Sequence, residues 1–185
     1  ERGAGRGGWA ARVPAPAGRV FVCNAGAEAS EGGRHLARKG SGRQLGGSLA
    51  GGWHGRTVAT LAVTDGAKYE DGARRAGMPL SRKVAFDDIQ ALERAVDDSV
   101  AAVILEPVQG MAGARPCLTE FLAAARRVCT ARGAALIFDE VQCGGGRRGC
   151  FTAAESYGVV PDILTMAKGP ACGLPTGRMR AHPAP

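Results

Sequence analysis

Two short stretches of this chain are apolar at every position, Ala101-Ala-Val-Ile-Leu105 and Ala134-Ala-Leu-Ile-Phe138, and a third, Ile163-Leu-Thr-Met166, departs from this only at Thr165. A strand with one face in water alternates apolar and polar residues, so runs without alternation belong to a sheet covered on both faces. Helical patterns lie between them. Thr119 is placed to cap a helix that runs through Arg132 and stops at Gly133, and a helical turn is expected near Thr152 to Tyr157. Strands alternating with helices predict an α/β fold, a mostly parallel sheet with flanking helices and right-handed crossovers.

The rest of the chain fits that frame less tightly. Val20-Phe-Val-Cys23 reads as a short buried strand, followed by the turn Asn24-Ala-Gly-Ala27 and a helix through Lys39. The glycine-rich stretch from Gly40 to Gly52 reads as a loop, and Arg56 to Ala62 suits either a short helix or a strand. Lys83 to Phe86 is a further strand, with Asp87 as the cap of a helix through Val96. Residues 1 to 18 are Gly, Arg, Ala and Pro without periodicity and are expected to form a loop or disordered arm; 181 to 185 would be a tail.

Composition excludes some functions. Lys plus Arg exceed Asp plus Glu by 24 to 17, a net charge of +7, a balance compatible with a nucleic-acid or membrane surface. The arginines instead occur as scattered pairs (Arg74-Arg75, Arg126-Arg127, Arg147-Arg148), with no basic cluster interleaved with stacking aromatics. No nucleic-acid partner is therefore expected. No apolar run approaches the roughly 18 residues of a membrane span, and the start lacks a signal core, so no membrane partner and a cytoplasmic location are expected. Six cysteines without Cys-x-x-Cys spacing read as free thiols, and no metal is expected.

Open α/β sheets bind ligands beyond the carboxyl ends of their strands. The polar residues there are Asn24 to Glu28, Glu106 to Gly110, Asp139 to Gln142, and Lys168. An acid where one buried strand emerges and an amine where a later one emerges can grip opposite ends of the same small cofactor.

The words around these residues are VFVCNAGAEASE (20–31), GGWHGRTVATLAVT (51–64), ILEPVQG (104–110), LIFDEVQCGGGRRG (136–149) and YGVVPDILTMAKG (157–169). In order and spacing they resemble the class III, pyridoxal 5'-phosphate dependent aminotransferases, most closely the acetylornithine and ornithine group. The resemblance implies the large domain of the fold-type I pyridoxal phosphate transferases. It makes Lys168 the catalytic lysine that bonds the cofactor aldehyde, Asp139 the partner of the pyridine nitrogen, and Gln142 the neighbour of the phenolic oxygen. Gly26 and Ala27 fall where the phosphate binds, which suits the free N–H groups and dipole of a helix start. Trp53 falls where an aromatic stacks on the ring, and Val141 lines the same cofactor site. Arg56 matches the arginine that holds a substrate carboxylate, and Glu106 an acid near the substrate. On the residues alone, Asp139 could equally cap a turn, Trp53 could anchor packing, and Arg56 and Glu106 could form structural ion pairs. The activity implied is transamination between an N-acetylornithine-like amine and 2-oxoglutarate in arginine biosynthesis, by a homodimer. An ornithine or 4-aminobutyrate transaminase, or a truncated non-catalytic relic, are the alternatives.

The chain departs from the family pattern at several points. Ala25 stands in place of a serine, Met111 in place of an acid, and Cys143 in place of a threonine or serine. Gly32-Gly33 interrupts a helix at roughly 1 kcal/mol per glycine. Pro170, Arg178 and Arg180 are expected to disturb an apolar strand after the lysine. Residues 19 to 180 are read as an incomplete cofactor-binding domain, with the C-terminal small domain absent.

Overall fold

A computed structural model describes residues 18–169 and 173–181. The expected N-terminal arm over 1–17, the end of the tail, and Pro170 to Cys172 lie outside the described residues. In chain order the elements are β1 (Arg19–Cys23), α1 (Gly26–Ser41), β2 (Leu45–Leu49), α2 (Val58–Leu61), α3 (Ala67–Arg75), β3 (Arg82–Val84) and α4 (Ile89–Ala95). There follow β4 (Val100–Leu105), β5 (Val108–Gln109), β6 (Arg115–Pro116), α5 (Thr119–Arg132), β7 (Ala135–Asp139), α6 (Ala153–Tyr157), β8 (Ile163–Ala167) and β9 (Gly177–Ala181).

Among the described residues, seven strands form one sheet in the order β1-β9-β8-β7-β4-β2-β3. The strands from β8 to β3 are mutually parallel, while β9 runs antiparallel to both β8 and β1. All six residues of β4 are buried, as its lack of alternation predicts. Its side chains serve two cores in turn. Val103 and Leu105 join Phe121, Leu122, Leu136 and Phe138 on the α5 face, while Ala102 and Ile104 join Ala37, Ile137 and Ile163 on the α1 face. Each large side chain so buried contributes about 1.5–3 kcal/mol.

Several expectations are corrected. The Gly40 to Gly52 stretch contains β2, which pairs with both β4 and β3. Its Gly47 lies against Val103: a Cβ there would stand 3.2 Å from Val103 Cγ2. β1 is an edge strand rather than a buried one, with Phe21 and Val22 exposed. Asp88, not Asp87, caps α4 by accepting the Ala91 N–H at 2.8 Å, and Asp87 sits at φ 59°. Thr119 is the first residue of α5, and Leu118 holds the cap position without a side-chain bond. The segment Arg56 to Ala62 resolves as the short helix α2. Arg178, half-buried, and Arg180, 4% exposed, do not prevent β9 from forming, and the strand pairs with both β8 and β1.

The two glycines of α1 differ in what they do. A Cβ on Gly33 would stand 3.1 Å from Ile163 Cγ2, so this glycine lets the helix lie close on the sheet. Gly32 would only reach ordinary contact, 3.5 Å from Met179 Sδ. Gly32→Ala is therefore expected to stabilise the fold by about 0.5–1 kcal/mol through helix propensity. A urea titration checks it: a midpoint at or below that of the parent chain would show that the α1–β9 contact has no room.

Candidate active site

The carboxyl end of β8, the turn after β7, the loop after β2 and the start of α1 converge on one cleft of about 680 Å³. Gly26, Ala27, Trp53, Arg56, Val141 and Lys168 line it, together with Asn24, Thr57 and Thr176. At its floor a recess of about 50 Å³ is bordered by Gly26, Ala27, Trp53, Glu106, Asp139, Val141, Gln142 and Lys168, with His54. All nine residues singled out from the sequence thus border one continuous site.

α1 begins at Gly26, and the first N–H groups of a helix have no intrahelical partner. A Cβ at Gly26 would meet Val141 Cγ1 at 2.6 Å, so glycine is needed for Val141 to close over the helix start. The cap residue Ala25 makes no side-chain bond, which leaves those donors to the cleft. Helix dipole and open N–H groups together favour an anion here.

Asp139 is 3% exposed and closes β7. Its Oδ2 accepts from Ser30 Oγ at 3.0 Å and faces His54 Nδ1 at 2.8 Å. Its Oδ1 accepts from the Val141 N–H at 3.1 Å and Thr165 Oγ1 at 3.3 Å. Lys168, one residue past β8, is exposed on the cleft and holds φ 59°, a conformation costly for a residue with a side chain.

Glu106 leaves β4 buried at 4% exposure, and its oxygens accept from the Trp53 N–H at 2.8 Å and the Gly110 N–H at 3.2 Å. Burial pushes its carboxyl up, while His54 and the Trp53 N–H act in the opposite sense. Trp53 is braced edge-on by Tyr69, ring centroids 5.1 Å apart. Gln142 lies flat over Gly110, where any Cβ would overlap its carboxamide. Arg56 is exposed at the cleft rim.

An anion cradle, a buried carboxylate and an amine on one recess suit a small molecule carrying a phosphate, a basic ring nitrogen and an aldehyde. Pyridoxal 5'-phosphate has all three groups, so the donor set fits it. Ser30, His54 and Thr165, which hold Asp139, carry no signal of that role in the sequence. His54 stands inside one of the quoted words, but its pairing with a residue 85 positions away has no local signal.

Behind the site, Glu140 accepts from the Ala153 and Ala154 N–H groups at 2.7 and 2.8 Å, which caps α6. Burial pushes its carboxyl up to about 7, against the pull of those two donors. Folded Glu140 then keeps a proton that the unfolded chain releases near 4.5, so this contribution is fully present below 4.5 and lost as pH rises through 7. Between pH 5 and 8 the parent chain is expected to lose on the order of 1–3 kcal/mol more stability than Glu140→Gln. Equal losses in urea titrations at the two pH values would refute this. The thiols of Cys117, Cys129 and Cys143 are likewise pushed up to about 12 by burial, and all five described cysteines are free. No described helix is long and apolar enough to cross a membrane.

Comparison with known proteins meets this geometry from another side. The family model described as aminotransferase class-III matches residues 10–184. An acetylornithine aminotransferase of Methanocaldococcus jannaschii is 46% identical over 165 residues, covering 86% of this chain and 41% of that protein. A transaminase from the marine bacterium Virgibacillus superposes with a TM-score of 0.84 at 28% identity, over 95% of this chain and 43% of its own. An amine transaminase from an uncultivated Pseudomonas species in its PLP-bound form gives 0.77 at 28% identity, over 89% and 43%. The chain spans about two fifths of the length of the curated relatives it matches.

Proposed function

The chain belongs to the class-III aminotransferases, and on that premise we propose that it forms the cofactor-binding part of a pyridoxal phosphate dependent transaminase. The amine donor proposed is N-acetylornithine or a close analogue, with 2-oxoglutarate as acceptor, in arginine biosynthesis. One observation carries the reading: Asp139 and Lys168, at the ends of neighbouring parallel strands, border the same recess as the start of α1. The donor class rests on relatives named acetylornithine aminotransferase at 40–46% identity.

The chemistry supplied by pyridoxal phosphate when bound is an aldehyde that takes up an amine and a ring that draws electrons from the carbon losing its proton. The Gly26 and Ala27 N–H groups bind the phosphate. Asp139 would keep a proton on the ring nitrogen, Gln142 would serve the phenolic oxygen, and Trp53 and Val141 would hold the ring. Lys168 would hold the cofactor through its Nζ at the aldehyde, and its amine, when free, would serve as the base that moves the substrate proton. Arg56 at the rim binds a substrate carboxylate, and Glu106 shapes the pocket beside it. The complete protein is read as a cytoplasmic homodimer, and the free, buried thiols suit a reducing compartment.

Titrating the complete protein that carries this chain with pyridoxal phosphate and then supplying N-acetylornithine, ornithine or 4-aminobutyrate with 2-oxoglutarate tests the reading. An absorbance band near the visible edge and fastest glutamate formation from N-acetylornithine are expected. Faster turnover of another donor moves the assignment within the family. A band without turnover favours a cofactor-binding relic, and no band rejects cofactor binding altogether.

A further inference from the structure

His54 is a buried side chain that the proposed chemistry leaves unused. It is 2% exposed and lies in the loop between β2 and α2. That loop is pinned by the His54 N–H donating to Thr64 Oγ1 at 3.0 Å and by Thr64 Oγ1 donating to the Gly55 carbonyl at 3.1 Å. The imidazole Nδ1 stands 2.8 Å from Asp139 Oδ2. An ionised carboxylate only accepts, so the ring proton of this contact belongs on Nδ1. Nε2 is buried and has no hydrogen-bond partner among the described residues.

The direction of this contact matters more than its existence. Ser30 reaches Oδ2 from α1, Thr165 reaches Oδ1 from β8, and the Val141 N–H reaches Oδ1 from the following turn. His54 supplies the remaining constraint, from a loop that belongs to none of those elements. With two donors on each oxygen the carboxylate cannot rotate about its Cβ–Cγ bond without losing them. A single N–H donated by the ring fixes the oxygen and leaves the carboxylate charge available to the recess. Ordinary core packing would require neither the Nδ1 contact nor the two bonds that hold the loop.

We propose that His54 is a positioning residue: through Nδ1 it orients the Asp139 carboxylate toward the ring nitrogen of a bound pyridine cofactor. The proposal rests on the cofactor reading above. It predicts an effect largest for ligands that carry that nitrogen, since the His54 Nδ1 contact is with Asp139. Asparagine can place an amide N–H near the position of Nδ1, whereas leucine and glutamine cannot.

Equilibrium binding of pyridoxal 5'-phosphate and of its 1-deaza analogue, which lacks the ring nitrogen, separates the possibilities. For His54→Leu, pyridoxal phosphate affinity is expected to fall about 10-fold or more, as for other residues that orient a ligand-binding group. The deaza analogue should change less than about 3-fold, and His54→Asn should recover most of the loss. Should His54→Leu lack the far-ultraviolet dichroism of the parent, His54→Gln takes its place with the same expectation. Unchanged pyridoxal phosphate binding, or equal losses for both ligands, overturns the role of His54 while leaving the cofactor reading intact. Failure of the parent chain to bind pyridoxal phosphate overturns both.

Discussion

Lys168→Ala is expected to abolish covalent capture of pyridoxal phosphate and to leave the stability of the chain within about 0.5 kcal/mol of the parent. The two halves of this result have different origins. Lys168 is exposed on the cleft, so removing its side chain deletes no core contact. Its amine is the group on the recess suited to bond an aldehyde, and alanine offers no nucleophile in its place. Mass spectrometry after borohydride reduction reads the first half, with one added cofactor on the parent and none on the variant. Retained labelling at another lysine would reject the assignment of Lys168. A comparison with Lys168→Gly reads the backbone. At φ 59° a side chain is costly and glycine is not, so Lys168→Gly should be more stable than Lys168→Ala by about 1 kcal/mol. Equal stabilities would mean that the loop relaxes once the lysine is gone. The expected difference means that the fold tolerates strain at the residue that faces the cleft, as functional positions commonly do.

How much of this was readable beforehand depends on whether burial leaves a trace in residue type. β4 and β7 are packed on both faces, so every position selects an apolar side chain and the run itself announces the strand. β2 is just as buried, yet its Gly46 and Gly47 carry no hydrophobic signal, because Val103 and Arg34 of neighbouring elements fill the space their side chains would take. β1 misleads in the opposite sense: an apolar run at a sheet edge has the composition of a core strand without its burial. Asp87 and Asp88 offer the same chemistry one position apart, and only the backbone decides which one caps α4. Gly26, Ala27, Glu106, Asp139, Val141, Gln142 and Lys168 were legible as candidates because they follow apolar runs, whereas Trp53 and Arg56, which follow the unrecognised β2, rested on the family resemblance alone. Ser30, His54 and Thr165 were not legible, since their common partner is Asp139 and that partnership exists only in the folded chain.

That partnership sets the largest stability change expected of any site residue. Asp139→Ala should destabilise the fold by about 2–5 kcal/mol, as buried donors lose their acceptor. The mechanism is the loss of a shared acceptor. Ser30, His54, Thr165 and the Val141 N–H all direct polar groups at this carboxylate, which is 3% exposed. Ser30 and Thr165 stand within 3.5 Å and can turn to each other, which spares part of the cost. His54 Nδ1 and the Val141 N–H would be left without that acceptor, at about 1–3 kcal/mol each. Asp139→Asn should lose less, since its carbonyl still accepts from one side while its amide opposes the donors on the other. Urea midpoints should therefore fall in the order parent, Asn, Ala, whereas pyridoxal phosphate affinity should drop steeply at the first step, where the charge disappears. If Asp139→Asn binds the cofactor as tightly as the parent, the carboxylate is a structural acceptor only and the ring nitrogen is held by something else. The separation of the two orders is what distinguishes a carboxylate kept for the fold from one that the fold holds, through four donors, for a ligand.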